Sequence, residues 1–382
     1  MNFTQTPEVA MIVQTVRDYV EKTLLPQEMA VEHAAQLPAA ILREMGDLGL
    51  FGLPFGEDDG GIGLGFSGYT LAMEQLGRAN AAYGVVLSAS SGLAGDTLAL
   101  AGSPEQRARW LPALAAGEQL GAFGLVEEGT GSDGRGLRTR ATPAGDGYRL
   151  DGAKSWVLNG PDAGLYIIFA RLPDGDTGVF VVPAATPGLS RGARQQELGL
   201  HGVGICEIRL DGCGVPSDAR LTGGPGGDDP GLALADAVLT RYGVTVGALA
   251  VGGASRLLDA ALAFASQRKQ FGRPVGAFGA VQNMIADSAV EVFAAQQAVY
   301  RAAWEIEAGH PDPRPAQQAQ LYATEALFRV ADRAMQVHGG MGFMKELWIE
   351  RGYRDARTFR LLGLTAEALR PRIAQALGCP AQ

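Results

Sequence analysis

The residues best suited to chemistry lie in a few short segments. Glu127 and Glu128 stand side by side at the head of a glycine-rich stretch, Glu127-Glu128-Gly129-Thr130-Gly131-Ser132-Asp133. Paired carboxylates can serve general acid–base catalysis, yet adjacent acids in a loop usually just face water. The stretch from Phe123 to Asp133 carries more information. Glycines beside Ser132 and Asp133, between a helical region and a strand, expose backbone N–H groups that can line a flat or anionic ligand. Arg268-Lys269-Gln270-Phe271-Gly272 follows a long helical pattern, and its cations suit charge-assisted bonds to a pyrophosphate; taken alone, a solvated Arg-Lys pair explains it as well. Gln336-Val337-His338-Gly339-Gly340 offers a side-chain amide and close backbone approach, although an ordinary glycine helix stop reads the same way. A lone tryptophan such as Trp156 is more often core than ligand platform.

Other chemistries are disfavoured. Gly60-Gly61-Ile62-Gly63-Leu64-Gly65 neither follows a strand nor leads to an acidic residue in a βαβ context, so it reads as a turn and not a dinucleotide loop. No Gly-Lys-Ser/Thr phosphate loop occurs. Cys206, Cys213 and Cys379 have no metal or disulfide spacing, and His33, His201, His310 and His338 are scattered, so no metal is expected. A net charge of −9 without a long basic run argues against a nucleic-acid partner. The N-terminus lacks a signal pattern, and no apolar run approaches the roughly 20 residues needed to span a bilayer. The expectation is a cytoplasmic protein without a membrane partner.

Three regions must position these segments. The chain of 382 residues, 47% hydrophobic and 19% charged, is ample for a large core. Residues 1–120 read as a helical domain: Val9, Ile12, Val13, Val16, Tyr19 and Val20 follow helical spacing, and Ser103-Pro104-Glu105-Gln106 looks like a helix start. Residues 121–225 carry short apolar or alternating runs punctuated by turns, with Ala144-Gly145-Asp146-Gly147 as a hairpin. Gly223-Gly224-Pro225-Gly226-Gly227 reads as a flexible linker. Residues 226–382 return to helical periodicity, with helices near 232–267, 280–308, 314–338 and 365–377. The expected fold class is α+β, an N-terminal helical domain, a middle β-barrel-like domain and a C-terminal four-helix bundle.

Together with Trp156-Val157-Leu158-Asn159-Gly160 and Arg354-Asp355-Ala356-Arg357, these segments resemble the acyl-CoA dehydrogenase family of flavoproteins along essentially the whole chain. The resemblance implies FAD as cofactor. Phe123, Leu125, Val126, Gly131 and Ser132 would line the flavin and the start of the acyl channel, Trp156 would pack on the isoalloxazine with Leu158 nearby, and Thr365 and Arg241 would join cofactor and substrate contacts. Arg268, Gln270, Phe271, Phe278, Gln336, Gly339 and Gly340 would hold the FAD of a neighbouring subunit, which implies a homodimer or homotetramer. The partner would be an acyl-CoA or acyl-carrier-protein thioester.

The departures fall at the chemistry. Aligned through Arg354-Asp355-Ala356 and Thr365, Gly363 takes the place of the family's catalytic glutamate. The alternative base position, just before an arginine on the bundle helix, is held by Thr240. Two threonines that usually touch the flavin correspond to Val126 and Leu158, and Glu367 is expected to be structural. A positioned base is worth roughly 10²–10⁴-fold in rate. The expectation is an FAD-dependent oxidoreductase acting on an acyl thioester by an atypical mechanism. A flavin-dependent oxygenase (monooxygenase) or a base-less partner subunit of a heteromeric dehydrogenase are the alternatives. Gly363 is expected to leave open space, and Gly363→Glu to raise desaturation.

Overall fold

The computed structural model describes residues 6–380. The N-terminal part holds α1 (Pro7–Tyr19), α2 (Leu25–Ala34), α3 (Ala39–Asp47), α4 (Gly65–Gly77), α5 (Ala81–Ser88), α6 (Asp96–Ala101) and α7 (Pro104–Ala115). α7 starts where its residues dictate. Ser103 Oγ accepts the Gln106 N–H at 3.2 Å, Gln106 Oε1 accepts the Ser103 N–H at 2.8 Å, and Pro104 occupies the first turn. The glycine run after Phe55 is a packed turn: a β-carbon on Gly61 would lie 2.2 Å from the Phe55 carbonyl oxygen.

The middle region contains β1 (Gly121–Gly124), β2 (Arg140–Ala144), β3 (Gly147–Leu158), β4 (Leu165–Arg171), β5 (Thr177–Pro183), β6 (Leu189–Arg191), β7 (Ile205–Pro216) and β8 (Arg220–Leu221). They form one eight-stranded sheet in the order β6-β7-β3-β2-β4-β5-β8, with β1 parallel to β4. β2 and β3 are joined antiparallel through the expected Gly145-Asp146 turn. Leu165 to Ala170 reads as one apolar run because both sheet faces are covered. Tyr166, Ile168 and Ala170 enter a core within the sheet region, whereas Leu165, Ile167 and Phe169 join the core shared with the helices.

The C-terminal part packs α8 (Pro230–Gln267), α9 (Gly279–Glu307) and α10 (Arg314–His338), with α11 (Ile349–Phe359) and α12 (Ala366–Ala376) against them. A small hairpin, β9 (Lys269–Gln270) and β10 (Arg273–Pro274), lies between α8 and α9. The segment before α8 is less free than its composition suggests. The Gly223 N–H bonds Ala101 O at 3.0 Å, and Asp229 caps α8 while accepting the Thr177 hydroxyl at 2.9 Å.

One expectation is corrected. Two helical stretches, Ala81–Ala101 and Pro230–Gln267, are long and apolar enough by composition to cross a bilayer. Interspersed Ser, Gly and Thr hide them from a search for unbroken apolar runs. In the fold, 89% and 50% of their most apolar windows are buried, so this surface is used largely for packing inside the protein.

The Arg354-Asp355 motif joins the three regions. Glu28 of α2 accepts Arg256 of α8 at 2.6 and 2.9 Å and Arg351 of α11 at 2.8 Å. Arg354 donates to Glu32 of α2 at 2.6 Å and to the Leu198 carbonyl of the middle region at 2.9 Å. The Leu200 N–H donates to Asp355 Oδ1 at 2.6 Å. Close approach there needs a glycine, because a β-carbon on Gly199 would sit 2.7 Å from the Arg354 backbone. Burial pushes the Asp355 carboxyl up to about 6, although Arg351 and the Leu200 N–H pull it down. A raised carboxyl pKa means that the folded state holds the proton longer than the unfolded one. This contribution is therefore complete at low pH and is lost as pH rises from about 4 to about 6. Across that window wild-type stability should fall relative to Asp355→Asn by about 3 kcal/mol, measured by urea unfolding at each pH. Parallel pH profiles would contradict it.

Candidate active site

The chain after β1 supplies the first wall. Phe123 is half-buried, its ring edge-on to Phe169 at 4.9 Å, and Leu125 is buried behind it. The Val126 carbonyl accepts the Ser155 N–H at 2.9 Å, tying this segment to β3. The two adjacent glutamates divide. Glu128 is exposed, but Glu127 is buried, which corrects the reading of both as water-facing. Glu127 Oε1 lies 2.6 Å from Lys154 Nζ, and its carboxylate also accepts the Arg138 and Thr139 N–H groups at 2.7 and 3.1 Å. Lys154 is 0% exposed; burial lowers its pKa to about 8 against the pull of Glu127. This pair anchors the wall and is not free to act as a base.

The register of β3 against β7 shifts between Lys154 and Val157. Such a bulge re-aims the residues within it. Lys154 turns inward, and Trp156 takes φ +52° and stands 57% exposed. A left-handed non-glycine residue is strained, and an exposed indole forgoes burial. Asn159, also at positive φ (+59°), holds the segment through Nδ2 bonds to the Val86 and Gly121 carbonyls at 2.9 and 3.2 Å. Leu158 is half-buried and pairs with Ile205.

Ser132 brings this wall to the bundle. Its Oγ accepts the N–H of Thr365 at 3.4 Å, and Thr365 Oγ1 in turn caps α12 by accepting the Ala368 N–H at 3.2 Å. Gly131 is exposed beside it. Glu367 lies exposed in the first turn of α12, where a carboxylate favours the helix dipole. Gly363 has φ +62° in the loop before α12. Gln320 of α10 clamps that loop, donating from Nε2 to the Leu362 and Leu364 carbonyls at 2.9 Å each.

The space beside Gly363 is not open, contrary to expectation. A β-carbon there would lie 3.1 Å from Tyr242 Cδ1, because the Tyr242 ring packs against the loop from α8. Thr240 donates its hydroxyl to Asp236 O in its own helix at 2.7 Å and carries no base. Arg241, expected at the substrate, bonds Asp96 Oδ2 at 2.8 Å and lies 4.4 Å over the Phe66 ring. Tyr242, Tyr69, Asp96, Gln320 and Lys154 carried no motif signal, since each gains meaning only from partners distant in sequence.

A second group forms at the far ends of α8 and α10. The Phe264 and His338 rings stack at 4.5 Å and bring Arg268 to Gly272 near Gln336 to Gly340. Arg268, Gln270 and Gln336 are exposed, and no side-chain bond of theirs occurs among the described residues. Phe271 is 92% exposed with φ +51° and meets Phe278 edge-on at 6.2 Å. A β-carbon on Gly339 or Gly340 would have nothing within 4 Å. The first group lies near Arg241, and the remainder of α8, at ~1.5 Å per residue, places the second roughly 40 Å away. The exposed, strained aromatics, the uncommitted guanidinium and amides, and the open glycine backbone fit a cofactor with a flat ring and a pyrophosphate.

Comparison with known proteins agrees with this geometry. Family models for the N-terminal, middle and C-terminal domains of acyl-CoA dehydrogenase match residues 6–118, 122–213 and 229–378. The probable acyl-CoA dehydrogenase YngJ of Bacillus subtilis (strain 168) is 37% identical over 99% of this chain and 100% of its own length. The structure of butyryl-CoA dehydrogenase from Megasphaera elsdenii superposes with a TM-score of 0.94 at 31% identity, covering 99% of this chain and 100% of that one. An acyl-CoA dehydrogenase from Bacillus anthracis, complexed with FAD, gives 0.91 at 29% identity over 98% of this chain and 67% of that one.

Two variants test the site. Lys154→Met strands a buried carboxylate and should cost about 3–5 kcal/mol in urea unfolding, with part of the loss recovered on adding Glu127→Gln, which removes the charge and keeps an acceptor for the Arg138 and Thr139 N–H groups. No recovery would show that the pair is not the cause. Gly363→Glu meets both the left-handed backbone and the Tyr242 ring, so it should cost about 2 kcal/mol or more and give no gain in thioester-driven bleaching over wild type. Adding Tyr242→Ala to Gly363→Glu should relieve the crowding and raise the bleaching rate, read by stopped flow.

Proposed function

Because the chain belongs to the acyl-CoA dehydrogenase family, with FAD as its cofactor, we propose that it oxidises or reduces an acyl thioester without a carboxylate base. One observation carries the reading. The segments suited to hold FAD are all present, whereas neither position of the family's base bears an acid. Bound FAD would supply the acceptor or donor of an electron pair.

The chain's own residues have separable tasks in this reading. Trp156 offers a face for the ring system, and Ser132 with the Thr365 N–H fixes the junction of sheet and bundle. Leu125, Val126 and Leu158 keep water from the reacting centre. Tyr242 Oη, pushed up to about 12 by burial, keeps its proton at neutral pH and is a donor, not a base. Arg268, Gln270 and Gln336 would hold the pyrophosphate end. The roughly 40 Å along α8 favours their serving the cofactor of a second copy, hence a homodimer or homotetramer. The apolar Val126 and Leu158 favour the oxygenase alternative, and the packed Tyr242 ring weighs against it by filling space beside Gly363.

The purified protein should be yellow and release FAD, and Arg268→Ala should weaken retention by about 1.5–3 kcal/mol, measured by fluorescence titration of the apoprotein. A colourless protein that takes up no FAD contradicts the reading. Anaerobic mixing with a panel of acyl-CoAs should bleach the flavin. Bleaching absent, but an oxygenated product formed on adding reductant and oxygen, would favour the oxygenase. Neither response, with co-purification of a base-containing homologue, would favour the partner subunit.

A further inference from the structure

Arginines such as Arg107, Arg256 and Arg354 lie against carboxylates, but a group bordering the candidate site does not. Arg138, Arg140 and Arg171 form no ion pair among the described residues. The Arg138 guanidinium donates to the Glu128 carbonyl, and that of Arg171 to the Leu137 and Gly175 carbonyls. Carbonyls hold these groups in place and leave their charge uncompensated. Arg135 adds a side chain 79% exposed, its Nε 3.6 Å from an Asp133 carboxylate that Arg372 also approaches at 3.9 Å.

The backbone beneath this row is fixed. Leu137 and Thr139 are buried, so Arg138 and Arg140 alternate outward along β2 and its lead-in. Glu127, held by Lys154, accepts the Arg138 and Thr139 N–H groups, and the Arg171 N–H donates to Thr139 O at 2.8 Å. Arg140 stands in register with Arg171 on β4 and with Asp151 on β3. Asp151 is already engaged, accepting Arg149 at 2.9 Å and the Gly212 N–H at 2.8 Å. Like charges in register on neighbouring strands are destabilising, and an anionic partner relieves them.

The row also borders the site. Arg135 follows Ser132 by three residues, and Arg138 is bonded to Glu128, four residues before Ser132, so chain reach keeps both within roughly 10–17 Å of it. The pantetheine arm of a thioester, about as long as five extended residues, spans ~17 Å. Resting on the thioester reading above, we propose that the substrate arrives on an acidic acyl-carrier protein, whose carboxylates dock on Arg135, Arg138, Arg140 and Arg171. Guanidinium forks match carboxylates. Small-molecule sites are concave, whereas these cations spread over a loop and two strands at the surface, which suits a protein face better than the phosphates of CoA. A chain of net charge −9 repels an acidic partner as a whole, and a local basic face steers that partner to one place.

The test loads a panel of acyl groups onto pantetheine, onto CoA and onto an acidic acyl-carrier protein, and titrates each into the FAD-loaded protein by anaerobic calorimetry. At about 50 mM salt the carrier-protein thioester should bind about tenfold more tightly than its pantetheine counterpart, and about 500 mM salt should erase the difference. The triple variant Arg135→Ser, Arg138→Ser, Arg140→Ser should cut the advantage to about twofold and leave pantetheine binding unchanged. Arg140→Glu, which breaks no side-chain bond, should by itself lower the advantage severalfold. Equal binding of pantetheine and carrier-protein thioesters, an advantage insensitive to both variants, or a CoA thioester bound more tightly than the carrier protein's overturns the proposal alone. No response to any thioester, together with intact FAD binding, overturns the thioester reading and the proposal with it.

Discussion

The structure depends on a group of charges held almost out of water. Glu28 lies between Arg256 and Arg351, and Asp355 with Arg354 reaches across to Leu198 and Leu200. A buried charge without its partners is strongly unfavourable, whereas a fully bonded set is tolerated. α2, α8, α11 and the middle region are therefore stable in this arrangement together. This junction ties sheet region and bundle together, and the Ser132–Thr365 contact is a second tie between them. The Glu127–Lys154 pair repeats the logic within the sheet region, pinning the loop after β1 to β3 so that a strained Trp156 can stand exposed beside it.

Against this frame, Gly363 and Tyr242 share one crowded volume. Gly363 has no side chain, and the Tyr242 ring packs where one would begin. A left-handed backbone favours glycine at 363 independently of the ring. The two features reinforce each other in favouring glycine at this position. Gln320, holding the carbonyls on both sides of Gly363, makes the loop a fixed wall.

Much of this was legible in the chain itself. The capping box at Ser103, the hairpin at Gly145-Asp146 and the long helices follow from local rules, because their hydrogen bonds close within a few residues. The family was legible because residue types and their order repeat its pattern along the whole chain. Less was legible where partners are remote. Glu127 reads as a surface acid until Lys154 arrives from another strand, and the Gly223 linker reads as loose until Ala101 and Thr177 bind its ends. The apolar stretch Ala81–Ala101 escaped notice because small polar residues interrupt it.

The sequence by itself determined the family frame, the FAD cofactor that comes with it and the absence of an acid at positions 240 and 363, since these are matters of residue identity. Only the tertiary structure decided what packs against Gly363. Tyr69 of α4 and Tyr242 of α8 meet at the helical stretch around Gly92, and the Tyr242 ring also packs on the Gly363 loop, so these groups must share one volume. Close packing leaves the outcome to the fit among Tyr69, Tyr242, Gly92 and Gly363, residues far apart in the chain and without a local pattern to announce them.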